Sequence, residues 1–372
     1  MPKQLTSVRQ EERAILAQAI IGRQSSEEAE DSLAELERLA DTAGAKITGS
    51  ITQRRDRPDA GFFIGHGKLA DIQLACRESG ANLVIFDNEL SPIQVNNLDL
   101  AIGVKVIDRT ELILQIFARR ARTAEAQAQV ELAQLQYLSS RIPVSQKQHR
   151  FTGGIGMRGP GESPFQLRRA PMMARIAILK KKLKDMQKRR ERTRERRPWP
   201  VVTLVGYTNA GKSTLLNALT SAEAYVDDRL FATLDTKSRL LFLPDQRKVM
   251  LTDTVGFIRN LPHGLVASFR STLDEICESD LLLIVTEAPH KYVREHLQVV
   301  HATLAEIQAD HIPRLLLMNK ADRLSNTAEL KREFPDAVLI SALKHDGLQE
   351  LKERICQAIP HDGLRPHPNS ES

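Results

Sequence analysis

The apolar positions of this chain change period several times along its length, and those changes divide it into regions. Between Ser25 and Gly44, Leu33, Leu36, Leu39 and Ala40 recur at helical spacing behind the capping candidates Ser25 and Ser26, which predicts a helix. Before it, AILAQAII (Ala14 to Ile21) reads as a strand or a short helix. After it, AKITGSIT (Ala45 to Thr52) alternates as a strand does. A glycine turn then opens a second helix over Ile64 to Gly80, ANLVIFDN (Ala81 to Asn88) is a strand, a third helix starts near Pro92, and VKVIDRT (Val104 to Thr110) is another strand. Residues 1–110 are therefore expected to form an α/β domain with a parallel sheet.

From Glu111 to about Arg141 the pattern is one long helix, with Ile113, Ile116, Phe117, Ala121, Ala124, Ala128, Leu132, Leu135 and Leu138 as its apolar positions. FTGGIGMRGPGESP (Phe151 to Pro164) follows, a glycine- and proline-rich loop flanked by Arg150 and containing Arg158. A second long helix runs from about Pro171 to Arg194, with Met173, Ile176, Leu179, Leu183 and Met186 in one seam. Two such helices joined by a loop should pack as an antiparallel hairpin, residues 111–197, with RRPWP (Arg196 to Pro200) as the linker out of it. From Val201 the α/β alternation resumes. Strands are expected near Val201–Gly206, Arg239–Leu243, Val249–Thr252, Leu281–Glu287, Arg314–Asn319 and Val338–Ser341, giving a doubly wound, mostly parallel sheet over 198–360. The polar tail, 361–372, is expected to be disordered.

Composition narrows the class. Aromatic residues make up 4% of the chain, which argues against an all-β sandwich and against base-stacking sheet surfaces. Cys76, Cys277 and Cys356 lie far apart, with no C-x-x-C pair, and read as reduced thiols of a cytoplasmic protein. No signal peptide is recognisable, and the longest apolar run, Leu281 to Val285, suits a sheet strand rather than a membrane span. A monomer is the expected state. Charge is more informative in its distribution than in its total. Arg168 to Arg197 holds 14 Lys and Arg against Asp185, Glu191 and Glu195, a local +11 in a chain of net +6, so the remainder carries −5. A basic segment on a mildly acidic protein is the footprint of a polyanion-binding element, although a solvated helix face has the same composition.

The chemistry concentrates in four short boxes. Gly206, Tyr207, Thr208, Asn209, Ala210, Gly211, Lys212 and Ser213 spell G-x-x-x-x-G-K-[ST] between a β-branched strand and an apolar helix that begins with Thr214. The glycines let backbone N–H groups wrap a phosphate at the positive end of that helix; Lys212 can reach the β- and γ-phosphates, and the Ser213 hydroxyl can ligate Mg²⁺. Asp253, Thr254, Val255 and Gly256 (DTVG) follow the strand VMLT. The aspartate can hold Mg²⁺ through water, and the glycine N–H can meet a γ-phosphate. Asn319, Lys320, Ala321 and Asp322 (NKAD) follow the strand RLLLM. Guanine offers N1–H and a 2-amino group as adjacent donors that the Asp322 carboxylate accepts together, whereas adenine would leave that carboxylate unpaired. Ser341, Ala342 and Leu343 at the next strand end can offer a backbone N–H to guanine O6. The nucleotide implied is GTP as substrate. Between the first two boxes, Phe231, Ala232, Thr233, Leu234, Asp235 and Thr236 form a polar stretch, in which Thr233 is favoured over Thr236 as the switch ligand of Mg²⁺. Lys212, Thr233 and Gly256 are thus the expected catalytic set, with Ser213, Thr233 and Asp253 around the metal. A further glycine-containing stretch, GHGK (Gly65 to Lys68), lacks the upstream glycine and the downstream hydroxyl of a phosphate loop.

Together the boxes resemble the translation-factor-like GTPases. TQRRDRP (Thr52 to Pro58), IGHGKL, LVIFDNELSP, VKVIDRTELIL, VELAQLQYL (Val130 to Leu138) and GGIGMRGPGE (Gly153 to Glu162) further resemble the HflX family, over nearly all of Glu11 to Ile359. That resemblance implies a cytoplasmic GTPase that binds the large ribosomal subunit and can split or rescue stalled ribosomes. Its helical hairpin and glycine-rich loop, here within Glu111 to Arg194, would approach ribosomal RNA. Phe257 stands where Ras-like enzymes place a water-orienting glutamine, so intrinsic hydrolysis should be slow and another group must position water. LIVTEAPHKY (Leu283 to Tyr292) replaces the family's Asp-Ala-Ser after that strand, with little effect expected on GTP binding, and ESPFQLRRAPMM (Glu162 to Met173) departs from the usual acidic sequence. Asn209 resembles the asparagine of potassium-activated GTPases, which implies K⁺ as a further ion.

Three other readings fit parts of the chain. An RNA-remodelling NTPase would bind a second nucleotide in the N-terminal α/β domain. A non-catalytic module would use GTP only as a structural switch, and Phe257 is the residue in its favour. Control of RNA modification would require a partner enzyme.

Overall fold

The computed structural model describes residues 11–141, 164–194, 199–220, 230–231, 236–259 and 275–359, with side chains of the long basic helix described over 169–189. The loop read at Phe151 to Pro164, except Pro164 itself, which begins a helix, lies outside these residues, as do Ala232 to Asp235, most of the RRPWP linker and the C-terminal tail. The chain divides into two compact units, one from Met1–Arg119 and Val130–Lys181, the other from Arg120–Gln129 and Lys182–Ser372.

In the first unit the strands β1 (Arg13–Ile21), β2 (Lys46–Arg55), β3 (Leu83–Phe86) and β4 (Lys105–Asp108) form a wholly parallel sheet in the order β2-β1-β3-β4. The crossovers are the helices α1 (Ser26–Ala43), α2 (His66–Ser79) and α3 (Pro92–Ile102). Ser25 caps α1 and Ser91 caps α3, each with a reciprocal bond from the third helical residue, and Gly44, Gly80 and Gly103 end the three helices in the left-handed conformation. Ala14–Ile21 thus resolves as strand. Ile15, Ala17, Ile72, Val84, Phe86 and Leu98 make its core. At α2 the Gly65 N–H donates to Gln53 Oε1 (2.9 Å), and a Cβ on Gly65 would lie 2.6 Å from the Arg55 guanidinium, so this helix start is packed by side chains of β2.

The carboxyl edge of this sheet carries a buried ionic cluster. Arg109, 2% exposed, donates to Asp87 Oδ1 and to Glu35 Oε1, each at 2.7 Å; Ser32 Oγ (2.6 Å) and Gln18 Nε2 (3.0 Å) donate to Asp87 Oδ2. Removing one member of such a cluster strands the others in a low-dielectric interior. Arg109→Ala is expected to cost about 3–5 kcal/mol, read as a lower urea midpoint; a midpoint equal to that of the unaltered chain would contradict it.

The helix expected from Glu111 to Arg141 is two helices, α4 (Arg109–Arg120) and α5 (Ala124–Arg141). The break is set by Thr123, whose Oγ1 accepts from the Ala126 N–H (3.1 Å) in the manner of an N-cap, while its carbonyl accepts from the Gln127 N–H. The apolar period runs straight through this cap, which is why periodicity alone missed it. Tyr137 Oη donates to Asp108 Oδ1 (2.6 Å), and burial, then the Asp108 charge, push this phenol upward from its ordinary pKa. The long basic helix α6 (Pro164–Arg194) pairs with α5 through a two-pronged Arg175–Glu131 contact at 2.6 and 2.8 Å. Its inward stripe is Met172, Ile176, Leu179, Leu183 and Met186; Met173, expected in that seam, is 46% exposed. Counting back four residues from Ile176 instead of three selects Met172, and sequence spacing permits both.

The second unit is a six-stranded sheet of order β10-β9-β8-β5-β7-β6, built from β5 (Val201–Gly206), β6 (Lys237–Phe242), β7 (Lys248–Asp253), β8 (Leu281–Glu287), β9 (Arg314–Asn319) and β10 (Val338–Leu339). All neighbours run parallel except the β6–β7 hairpin. Alternation along the strands sends side chains to two cores. Val202, Leu204, Leu281, Leu283 and Val285 pack with Leu215, Leu216 and Leu219 of α7 (Lys212–Thr220) and Leu351 and Ile355 of a C-terminal helix (Leu348–Ala358). Val205, Leu282 and Ile284 pack on the other face with Val293, Leu297, Val300 and Leu304 of α8 (Val293–Glu306). Between α8 and the C-terminal helix lies the short α9 (Ala328–Glu333), so the latter is α10. Among the described residues no helix is long and apolar enough to cross a membrane.

Candidate nucleotide site

Because β5, β7, β8, β9 and β10 are parallel, the residues that follow them all emerge at one edge of the sheet. The four boxes meet there without any requirement on the intervening chain. Gly206 to Ser213 leaves β5 and enters α7. Lys212, 6% exposed, donates through Nζ to the carbonyls of Gly206 (3.1 Å) and Tyr207 (2.9 Å), inside the curve of its own loop. Burial holds its ammonium down to about 8, partly offset by the Asp253 charge. Asn209 sits exposed in the left-handed region at φ 62°, a conformation asparagine tolerates. Gly211 is obligatory for packing: a Cβ there would lie 2.2 Å from Asn319 Nδ2.

Asp253 ends β7 beside β5 and is fully buried. Ser213 Oγ donates to Asp253 Oδ2 at 2.6 Å, and Thr254 Oγ1 donates to the Leu204 carbonyl at 2.7 Å. A hydroxyl and a carboxylate converging at the head of α7 are the oxygen donors that Mg²⁺ takes alongside phosphate oxygens and water, so these residues fit the ion. Val255 and Gly256 follow, and a Cβ on Gly256 would lie 2.8 Å from both Cα and Cγ2 of Thr208 and 2.9 Å from Lys212 Nζ. Glycine is therefore what lets this segment lie against the loop. The contact continues as a short parallel ladder: the Thr208 N–H donates to the Phe257 carbonyl (2.8 Å) and the Phe257 N–H to that of Gly206 (3.0 Å). Phe257 itself, 2% exposed, is part of the core with Val205, Ile284 and Val293.

The third box is tied directly to the first. Asn319 Nδ2 donates to the Ala210 carbonyl (2.8 Å), and its Oδ1 accepts from the Ala342 N–H (3.0 Å), so one amide braces both the phosphate loop and the Ser341–Ala342–Leu343 turn. Lys320 adopts φ 61° and its ammonium lies 2.8 Å from Glu287. Ala321 and Asp322 open a single 3-10 turn. The hydroxyl of Ser341, then burial acting in the opposite sense, set the Asp322 carboxyl, and the net effect is a pKa below the ordinary carboxylate value, which keeps it an acceptor at neutral pH. Ala342 is buried while Leu343 is exposed.

Several partners were not legible from the motifs. Glu287, in the stretch that departs from Asp-Ala-Ser, pairs with Lys320 and lies 3.7 Å from Arg323, so it braces the base-binding box from the neighbouring strand. The ring of Tyr207 stacks on His296 of α8 (centroids 3.8 Å apart, 8° between planes), and its phenol accepts from the Arg259 N–H (2.8 Å). Phe231 is buried at φ 55°, whereas Ala232, Thr233, Leu234 and Asp235 lie outside the described residues.

A phosphate loop, an aspartate on the adjoining strand, and an Asn-Lys-x-Asp box braced against that loop define a P-loop GTPase. Comparison with known proteins agrees: the family described as "GTP-binding GTPase N-terminal" matches residues 30–118, "GTP-binding GTPase Middle Region" 120–197 and "50S ribosome-binding GTPase" 201–320. A curated GTPase HflX from Caldanaerobacter subterraneus is 47% identical over 351 residues, spanning 93% of this chain and 80% of that one. The GTPase HflX of Escherichia coli is 43% identical over 351 residues, spanning 91% and 82%. A solved GTP-binding protein of Sulfolobus solfataricus in complex with GDP aligns with a TM-score of 0.50 at 27% identity, over 93% of this chain and 98% of its own. The chain belongs to the HflX family of GTPases.

Proposed function

We propose that this GTPase is a cytoplasmic factor that docks on the large ribosomal subunit in its GTP state, splits or rescues stalled ribosomes, and leaves after hydrolysis. The observation that carries the docking is α6. Lys180, Lys181, Lys182, Lys184 and Lys188 are all exposed on it, and none is in an ion pair among the described residues. Solvated lysines without acidic partners are what the phosphates of structured RNA displace counterions from. The name of the family matched at 201–320 points to the same partner.

At the nucleotide site, Lys212 and the loop amides hold the phosphates, Ser213, Thr233 and Asp253 (through water) hold Mg²⁺, and the Gly256 N–H reads the γ-phosphate. Asp322 reads guanine, while Asn319 fixes the two loops that flank it. When bound, Mg²⁺ supplies neutralisation of charge building on the β- and γ-phosphates. GDP, present in the archaeal relative, is the product this site would retain.

The test is GTP turnover with and without purified large ribosomal subunits, at about 50 and 200 mM salt, in potassium and in sodium. Strong stimulation is expected, with an apparent affinity for the subunit that falls by about 500-fold at the higher salt if five lysines meet phosphates. Faster turnover in potassium is the outcome expected if Asn209 helps hold that ion. Unstimulated turnover, with GTP still bound, would instead favour the switch-only module.

A further inference from the structure

Phe257 cannot orient water: its ring is enclosed by the α8-side core, and its backbone is committed to the ladder with Gly206 and Thr208. The hydrolysed bond therefore needs a polar group from elsewhere in the site. Thr208 is 7% exposed, and its Oγ1 is buried with no hydrogen-bond partner among the described residues. An orphaned hydroxyl in the interior is costly, and such groups in native structures call for an explanation. A Cβ on Gly256 would meet the Thr208 Cα and its Cγ2 methyl as well as Lys212 Nζ, so Thr208 borders the two groups that define the γ-phosphate end of the loop in the reading above, with its hydroxyl on the other branch of Cβ. Its backbone is pinned there by the bond to the Phe257 carbonyl, and the neighbouring Tyr207 is pinned by His296 and the Arg259 N–H.

We infer that the Thr208 hydroxyl is a catalytic group that positions the attacking water on the γ-phosphate. A hydroxyl has one donor and two acceptor sites, so it can donate to a γ-phosphate oxygen while accepting from the water. As the water oxygen bonds to the γ-phosphorus, the bond from that phosphorus to the bridging oxygen of GDP breaks. The electron pair leaves with GDP, and the water's proton passes to the phosphate released. Thr208 gains and loses no proton. The inference rests on the phosphate-loop assignment made above.

The test measures single-turnover GTP hydrolysis, GDP affinity and thermal midpoint for the full chain carrying Thr208→Val, an isosteric loss of the hydroxyl, and Thr208→Ser, which keeps it. Thr208→Val should hydrolyse GTP about 100-fold more slowly, bind GDP as the unaltered chain does, and melt no lower, because the orphan has been removed. Thr208→Ser should recover most of the rate. Hydrolysis by Thr208→Val within about threefold of the unaltered rate would overturn the inference. So would a fall in GDP affinity that matches the fall in rate, since that is loop distortion. If Thr208→Val does not fold, Thr208→Ala carries the same readings. An unaltered chain that binds no GDP would remove the loop assignment itself, and the inference with it.

Discussion

Asp322→Asn is expected to lower affinity for GTP by at least about 1,000-fold and to make xanthosine triphosphate the preferred nucleotide. In the proposed role, the carboxylate would accept two hydrogen bonds, from guanine N1–H and the 2-amino group. An amide presents one acceptor and one donor in the same place, so the 2-amino group meets a donor. Xanthine carries a carbonyl oxygen at that carbon, which the amide N–H₂ can satisfy. Nothing else at the site needs to change. Asn319, the residue that braces the phosphate loop and the Ser341–Leu343 turn, is untouched, and Glu287 still holds Lys320. Competition binding with GTP, ATP and xanthosine triphosphate reads the result directly. Equal loss of all three would mean that Asp322 is a structural member of the turn and not the base reader.

Lys212→Ala is the second large effect: turnover is expected to disappear and nucleotide affinity to fall by about 100-fold, the value of a charge-assisted bond to phosphate. The fold should not suffer. A lysine whose ammonium is held down to about 8 from 10.5 carries an electrostatic cost of burial on the order of 3 kcal/mol when charged. The direction follows from proton counting. Below about pH 8 the lysine is protonated folded and unfolded, and the full cost is present; between about 8 and 10.5 the unfolded chain binds more protons, so this residue's contribution to stability rises with pH. Nucleotide binding has the opposite slope, because phosphates favour the charged lysine and binding above about pH 8 must take up a proton. Affinity should therefore decline as pH rises past 8. A melting temperature that drops in Lys212→Ala at pH 7, or affinity that stays flat to pH 9.5, would contradict this account.

The boxes that the parallel sheet gathers at one edge were legible in the sequence because their demands fall on the backbone. Gly211 and Gly256 admit no Cβ, and motifs built on such positions keep fixed spacing. The parallel sheets were legible from alternation and from punctuation at helix ends, as at Ser25, Gly44 and Pro92. What escaped detection depends on tertiary neighbours. Glu287 is one more acid at a strand end until β9 brings Lys320 beside it. Tyr207 is one variable position of a phosphate loop until α8 presents His296. Thr123 interrupts no apolar period, so the boundary between α4 and α5 shows only in its hydrogen bonds. The assignment of Met172 over Met173 likewise needed the helix to choose a face.

The most direct test of the proposed role is co-sedimentation of the full chain with purified large ribosomal subunits, with a non-hydrolysable GTP analogue and with GDP. A GTP-gated ribosome factor pellets with the subunit in the analogue and stays in the supernatant with GDP. Equal recovery in the two nucleotides, or none in either, would contradict the account.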